Sequence, residues 1–279
     1  MEELIQQITG GHVPAASIAF IIVSIVVIAA IFVGAPIFLK VKYHCHLRAF
    51  FLGCAVWLLF AAVLESLLHQ VILRGELGNA IQGNTFLLAI YGGFMAALFE
   101  ETGRFVAMKL FLKKSMDNNV NSIMYGAGHG GFEAVYILGL TMLNNLIFAL
   151  LINSGTIGAS LEALKILPED QAIQTLKGIA SLSTEPSYIF LIGMIERFAA
   201  IAGHIAMSVF VWYAIKEKKI GYYFIAFGFH FILDAGTVVI STFVSNMWLL
   251  EVCVYVMVIA FAIFTVKFYR EKNKVICEK

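Results

Sequence analysis

The stretch AASIAFIIVSIVVIAAIFVGAPIFL, Ala15 to Leu39, decides the fold. It contains no ionisable side chain over 25 residues, and a helix needs about 20 apolar residues to cross a bilayer. The preceding start, Met1-Glu2-Glu3, is acidic, whereas a signal peptide has a basic start and a small-residue cleavage site. We therefore expect a retained membrane span here.

The overall composition also indicates a membrane protein. Of 279 residues, 61% are hydrophobic and 13% are charged, and 24 are phenylalanine. A single soluble core of this size does not need so much apolar surface. The cysteines form neither a C-x-x-C pair nor a regular framework, so we predict neither a thiolate zinc site nor a disulfide scaffold. They are Cys45, Cys54, Cys253 and Cys277.

Windows of about 20 apolar residues predict an all-α fold, a polytopic transmembrane helix bundle forming one domain over 1–279. The fourth window is long, and we expect one tilted or broken helix because two crossings would reverse every later loop. The connector 154–187 has the pattern of two short amphipathic helices on the outer surface, the second opened by Pro168. The seven predicted spans are 15–39, 49–73, 85–109, 121–152, 187–215, 220–243 and 247–267.

The basic residues predict the orientation. They concentrate in alternate connectors and in the tail, and such segments face the cytoplasm. The N-terminus is therefore expected outside and the C-terminus inside. The Lys-rich set is Lys40, Lys42 and Arg48; Lys109, Lys113 and Lys114; Lys216, Lys218 and Lys219; and Lys267, Arg270, Lys272, Lys274 and Lys279, whereas the other connectors hold Arg74, Lys165 and Lys177.

Ionisable residues lie inside four of the predicted spans. A charge at the centre of a membrane helix costs about 2.5–3.5 kcal/mol even on the lenient insertion scale, so each needs a reason. Residues at i, i+4 share a helix face. By span, the residues are Glu100, Glu101 and Arg104 in the third, His129 and Glu133 in the fourth, Glu196, Arg197 and His204 in the fifth, and His230 and Asp234 in the sixth.

These groups are predicted to lie at one level. Glu101, His129, His204 and His230 are 8, 8, 12 and 11 residues from the first polar residue at the cytoplasmic end of their spans. At 1.5 Å per residue that is a depth of roughly 12–18 Å. We therefore expect one site in core helices 85–243, within a cavity that opens toward the cytoplasm. Adjacent Glu196 and Arg197 lie nearer the outer side, and we expect them to form a structural ion pair.

Two chemistries fit the predicted site. In one, Glu100 or Glu101 is the general base for a water held by a neutral histidine. In the other, the His, Glu and Asp side chains bind a divalent ion such as zinc, which activates the water. The residues that could hold such an ion are His129, His204, His230 and Asp234.

At this point the motifs resemble those of the glutamic-type intramembrane proteases. That group includes the CAAX-processing and bacteriocin-immunity proteins, the PrsW proteases and, most similar, the YhfC group of intramembrane metalloproteases. The resemblance covers about 145 residues from the third to the sixth span. The spacing of its first motif is one residue shorter than in the CAAX enzymes, and its second has Tyr in place of Phe. The matching residues are Glu100-Glu101-x-x-Arg104, Tyr125-x-x-x-His129 with Glu133, His204, and His230-x-x-x-Asp234.

The resemblance implies a multi-pass protein of a bacterial plasma membrane that hydrolyses a peptide bond in a membrane-associated protein or peptide. It implies that Glu100 activates water and that Glu101 and Arg104 support it electrostatically. His129 or His204 would hold water or metal, and the pair His230 and Asp234 would stabilise the oxyanion or bind the metal. Lipids and a peptide substrate are the expected partners, without nucleic acid, and the oligomeric state stays open.

Two other functions remain open from the residues alone. Membrane carboxylates and histidines also build the ion pathways of transporters and proton-coupled sensors. Such transporters have inverted repeats, which this sequence does not display. A catalytically silent scaffold or immunity protein is the second alternative, and it would carry the same polar cluster without cleaving a substrate.

Overall fold

The chain is helical throughout. The structure, a computed structural model, describes residues 1–277, apart from the side chains of Lys165 and of the last residues including Cys277. Within that range no strand occurs, which confirms the all-α prediction. The helices are α1 Glu2–Thr9, α2 Ala15–Tyr43, α3 Leu47–Ile72, α4 Gly75–Gln82, α5 Thr85–Phe111, α6 Asn121–Asn153, α7 Gly158–Ala163, α8 Glu169–Thr184, α9 Ile189–Lys216, α10 Gly221–Phe243 and α11 Met247–Cys277.

Among the described residues, six helices are long and apolar enough to cross a membrane, and the α4–α5 pair makes a seventh candidate. The two members of that pair meet at a bend of 108°. The prediction of about seven spans is therefore confirmed at six to seven. Apolar side chains such as Val33 (56% exposed) and Phe51 (63%) lie uncovered on the long helices, as lipid-facing residues do.

The fourth predicted span is a single helix, α6, of 33 residues. A π-helical segment, Val135–Gly139, interrupts it without ending it. Such segments insert an i→i+5 turn into an α-helix and re-aim the residues on either side. The preference for one helix over two is confirmed.

The connector after α6 forms two short helices, as its pattern predicts. Pro168 is the N-cap of α8, where its fixed φ favours helix initiation. The apolar face of α8 is buried at Leu176 and Ile179, and α7 buries Leu161. The amphipathic character is confirmed, whereas the placement on the outer surface stays a prediction.

The chain divides into two compact units. One consists of Met1–Ala30 with Val135–Ile195, and the other of Ile31–Ala134 with Glu196–Lys279. Every predicted site residue belongs to the second unit. The single domain 1–279 and the core region 85–243 stay predictions.

The side-chain amide of Asn153, at the end of α6, binds the backbone of the segment before α2. The Oδ1 atom of Asn153 accepts a hydrogen bond from the backbone N–H of Val13 at 2.8 Å, and its Nδ2 donates to the Val13 carbonyl at 3.0 Å. These two hydrogen bonds satisfy the backbone N–H and C=O groups of Val13, which lies just before α2. The start of α2 is thereby held beside the end of α6.

Glycines bring the helices of the second unit into backbone contact. A Cβ atom added at Gly128 of α6 would lie 2.0 Å from the Phe50 carbonyl of α3, and one at Gly126 would lie 2.5 Å from Cα of Ile205 in α9. At Gly93 of α5 it would lie 2.9 Å from the side chain of Ala235 in α10. Small residues permit such close packing of membrane helices.

A packed apolar core fills the second unit toward the Lys-rich ends of its helices. Met108 and Leu112 near the end of α5, and Phe210 and Trp212 near the end of α9, are all 0% exposed. The indole Nε1 of Trp212 donates to Oδ1 of Asn119 at 3.2 Å, so its polar atom is satisfied. This end of the unit is closed by close packing.

Three of the four cysteines have side chains that the structure describes. Cys45, Cys54 and Cys253 are free thiols, and Cys277 lies outside the described side chains. Burial raises the pKa of the Cys45 thiol in the α2–α3 connector. A protonated, buried thiol is a small apolar group.

Candidate active site

A π-helical segment of α5, Ala97–Glu101, positions the adjacent carboxylates. In a regular α-helix two successive side chains point in clearly different directions, yet Glu100 is only 7% exposed and Glu101 is 0% exposed. The wider π turn lets both face the interior of the unit. Single π turns of this kind occur frequently at functional sites.

Glu101 and Arg104 form a fully buried ion pair behind the site. The Nη1 atom of Arg104 donates to Oε1 of Glu101 at 2.5 Å, and neither side chain is exposed. The same carboxylate oxygen lies 2.9 Å from Nδ1 of His230. The predicted support pair is therefore in place and connects α5 to α10.

Arg104 also determines which nitrogen of His204 carries a proton. Its Nη2 atom lies 3.0 Å from Nδ1 of His204, and a guanidinium can only donate. Nδ1 is therefore the acceptor, which leaves the proton of a neutral ring on Nε2. That atom lies 2.6 Å from Oε2 of Glu133.

Glu100 lies between two histidines. Its Oε2 atom is 2.7 Å from Nε2 of His129 and 3.8 Å from Nδ1 of His204. The rings of His129 and His204 have centroids 4.9 Å apart, and those of His204 and His230 are 5.6 Å apart. On the far side of His230, Nε2 lies 3.4 Å from Oδ2 of Asp234. The structure thus brings all eight predicted site residues together.

A cavity of about 390 Å³ lies beside these residues, and only some of them line it. Glu101, Arg104 and His129 are 0% exposed and do not line the cavity, so they can position the side chains that do. The site residues on the wall itself, which can touch a ligand in the cavity, are Glu100, Glu133, His204, His230 and Asp234.

The cavity runs from the cluster toward the Lys-poor ends of the helices. Its wall includes Thr237 and Val238 in the last third of α10, and Leu250 at the beginning of α11. Which side of the membrane the cavity faces stays a prediction, but the cavity does not extend to the Lys-rich ends of the helices. The reason is the packed core of the second unit, whose members Phe210 and Trp212 are fully buried on that side.

Arg197 connects two carboxylates on the cavity wall. It donates to Glu196 through Nη2 and to Oε1 of Glu133 through Nη1 at 2.6 Å. The predicted pairing of Glu196 with Arg197 is therefore present. The contact with Glu133 was not predicted, because sequence spacing relates residues on one helix and says nothing about partners on another.

Three side chains fit a metal ion. Ligand atoms of Glu100, His129 and His204 all lie within 4.8 Å of one another. Two ligands of one zinc ion are at most about 4.2 Å apart, because each Zn–N or Zn–O bond is about 2.0–2.2 Å. Small side-chain movements would therefore close the set. His230 and Asp234, also predicted as ligands, are not part of this group.

Residues 25–254 match the family described as YhfC intramembrane metalloprotease. The chain belongs to the YhfC family. It is 35% identical over 189 residues to the "Uncharacterized membrane protein YhfC" of Bacillus subtilis (strain 168), and the alignment covers 67% of this chain and 70% of that protein. No solved structure matches the chain. It is a multi-pass membrane protein, and its relation to the CAAX and PrsW proteases stays a prediction.

A second polar group in this YhfC-family chain lies outside the predicted site. Nε2 of His69 lies 3.1 Å from Oε1 of Glu65, and Nδ1 lies 2.8 Å from the hydroxyl of Tyr91. Glu65 ends the π-helical segment Leu58–Glu65 of α3 and is 8% exposed. The i, i+4 spacing of an acid and a histidine inside a span was the available signal.

Two residues near the predicted site, which the sequence analysis did not assign to it, also have a buried polar atom with no hydrogen-bond partner among the described residues. The hydroxyl of Tyr125 is one, and its ring stacks against His129 with centroids 6.1 Å apart. Oε2 of Glu251 on α11 is the other, and Glu251 lines the cavity. The sequence signal for Glu251 was an acidic residue inside the last predicted span.

Proposed function

We propose that this chain is an intramembrane peptidase in which Glu100 activates the water that hydrolyses a peptide bond of a membrane-associated protein or peptide. One observation carries the proposal. Glu100 faces the cavity and at the same time lies 2.7 Å from His129, which is buried behind the wall. A general base must reach the reacting water and must be held in place, and Glu100 satisfies both conditions.

The hydrolysis needs one proton acceptor and one oxyanion donor. Glu100 takes a proton from water while the water oxygen bonds to the peptide carbonyl carbon. His230 lies on the cavity wall with its Nδ1–H bound to Glu101, so it acts as an imidazolium whose Nε2–H donates a hydrogen bond to the carbonyl oxygen as that oxygen becomes negative. Glu100 then gives its proton to the amide nitrogen as the C–N bond breaks, which yields a carboxylic acid and an amine.

The residues behind the wall act as positioning residues. Arg104 holds the Glu101 carboxylate at 2.5 Å and the His204 ring at 3.0 Å. Glu101 in turn fixes His230 at 2.9 Å. Fixed donors that need no reorganisation during the reaction lower its barrier most effectively.

A zinc ion would be held by Glu100, His129 and His204, and Glu100 would then be a metal ligand instead of the general base. When bound there, it would supply a water of lowered pKa and a Lewis acid for the carbonyl oxygen. The description of the YhfC family as metalloproteases supports this assignment. With or without the ion, Glu133 and Arg197 keep the ring of His204 oriented from the other side.

The closed Lys-rich end supports a hydrolase over a transporter. A transport path requires polar groups on both sides of the midplane. Here the core around Phe210 and Trp212 is apolar and fully buried between the cluster and that end. A cavity that ends at the carboxylates suits a substrate that enters, reacts and leaves from one side.

The proposal is tested with purified protein in lipid nanodiscs and a library of quenched fluorescent peptides that span a bilayer. Glu100→Gln should lower the cleavage rate by about 10²- to 10⁴-fold, the usual contribution of a general base. Glu76→Gln, an exposed carboxylate on α4, is the control and should cleave like the wild type. Equal rates for wild type and Glu100→Gln, in protein with unchanged thermal unfolding, would overturn the assignment.

A further inference from the structure

The wall of the cavity carries more carboxyl groups than basic side chains. It holds one arginine, Arg197, against five carboxylates. Arg197 donates its hydrogen bonds to Glu133 and Glu196. The five are Glu100, Glu133, Glu196, Asp234 and Glu251.

Four of the five carboxylates have a partner in the described structure. Glu100 lies 2.7 Å from His129, and Asp234 lies 3.4 Å from His230. Glu133 and Glu196 share Arg197, as described above. Glu251 on α11 is the exception.

Glu251 is both buried and unsatisfied. It is 9% exposed, and its Oε2 atom has no hydrogen-bond partner in the described part of the chain. A carboxylate removed from water without a partner is costly, and more so inside a membrane span. A cation that entered the cavity would remove that cost and form a charge-assisted hydrogen bond.

The surroundings of Glu251 suit a long basic side chain. The apolar residues Leu250 and Val254 lie on the same part of the wall, on either side of Glu251 in sequence, and Leu233 of α10 completes it. Lys and Arg have apolar stems that pack on such surfaces while their charged ends reach a carboxylate. The volume of about 390 Å³ lies in the range of ligand pockets, about 300–1,000 Å³.

We infer that Glu251 forms a recognition subsite for an ammonium or guanidinium group, so that the preferred substrate segment carries a Lys or Arg side chain within reach of the cleaved bond. The inference rests on the proposed function for the identity of the ligand as a peptide. It goes beyond that function because it assigns substrate selection to a residue on a different helix from the water-activating group.

The test measures binding, so that it does not depend on turnover. The protein is the full chain with Glu100→Gln in lipid nanodiscs, and the probes are two bilayer-spanning peptides that differ in one residue, Lys or norleucine. We expect the Lys peptide to bind at least about 10-fold more tightly, since a buried charge pair contributes strongly to affinity. Adding Glu251→Gln should reduce the difference to less than about twofold, whereas adding the control Glu76→Gln should preserve it.

Equal binding of the two peptides, or a Lys preference that survives Glu251→Gln, would overturn the subsite. Thermal unfolding separates recognition from a structural role. Because Oε2 of Glu251 has no partner to lose, Glu251→Gln should unfold at the wild-type temperature or above it, and a clear decrease would count against the inference. A Lys preference in binding, without cleavage of either peptide by the wild type, would reject the peptidase and leave the subsite standing.

Discussion

Nη2 of Arg104 lies 3.0 Å from Nδ1 of His204, the ring nitrogen that also faces Glu100 at 3.8 Å. The guanidinium donates to the lone pair of this nitrogen. A metal ion bound at the same atom would need that lone pair. Arg104 and a metal ion therefore compete for one acceptor, and Arg104 would keep only its bond to Glu101 in a metal-loaded site.

Zinc content is the first prediction. We expect about one zinc per chain in the purified protein, measured by elemental analysis, because three ligand atoms lie within 4.8 Å of one another. His129→Ala should lose it, since three protein ligands are the usual minimum for a catalytic zinc. His69→Ala is the matched control, because His69 lies in a span outside the group, and it should retain zinc. A full zinc content in His129→Ala would show that this group is not the site.

The stability of the buried ion pair is the second prediction. Arg104→Met leaves the Glu101 carboxylate uncompensated at 0% exposure, which should lower the free energy of unfolding by about 3–5 kcal/mol. The double variant Arg104→Met with Glu101→Leu removes both charges and should recover most of the loss, because apolar replacements of buried pairs are often neutral. Denaturant unfolding in detergent measures both. An equally unstable double variant would mean that packing, not charge, is responsible.

Much of the fold and of the site was predictable from the sequence. The spans follow from runs of about 20 apolar residues, since only a helix satisfies its own backbone in lipid. Within a helix, spacing places His129 with Glu133 and His230 with Asp234 on shared faces. Motif order across the spans then identified the eight residues that the structure brings together.

The features of the site that were not predicted depend on which helices are in contact. The spacing of residues within one helix does not contain that information. The contact of Arg197 with Glu133 joins α9 to α6, and the direction of the cavity depends on where large side chains such as Trp212 fill the unit. The π segment Ala97–Glu101, which turns both glutamates inward, has no local sequence signal that we recognised. Glu251 differs, because an acid inside a span was visible and was overlooked.

Close helix packing gives the third prediction. A methyl group at Gly128 would lie 2.0 Å from the Phe50 carbonyl, and backbone atoms cannot move aside as a flexible side chain can. Gly128→Ala should therefore separate α3 from α6 and destabilise the protein by about 3 kcal/mol, at the upper end of the usual cost of overpacking. Because His129 is the next residue, zinc content should fall as well.

The control for Gly128→Ala is Gly92→Ala in α5. Gly92 has no atom within 4 Å of an added Cβ among the described residues. An alanine there should be tolerated, since alanine is a better helix former than glycine. A loss of stability as large as that of Gly128→Ala would show that any helical alanine is harmful, and the packing explanation would fail.

Orientation in the membrane is the fourth prediction. The Lys-rich connectors place the N-terminus outside, so Ala159 of α7 should lie outside and Asp117, in the connector between α5 and α6, should lie inside. In a background without native cysteines, Ala159→Cys on intact cells should react with a membrane-impermeant maleimide, and Asp117→Cys should react only after permeabilisation. The cavity runs toward the Lys-poor ends, as Thr237 and Leu250 on its wall indicate. If the labelling follows the expected pattern, those ends lie outside, and substrates enter from the outer half of the bilayer. The reverse labelling pattern would contradict the orientation and would turn the cavity toward the cytoplasm.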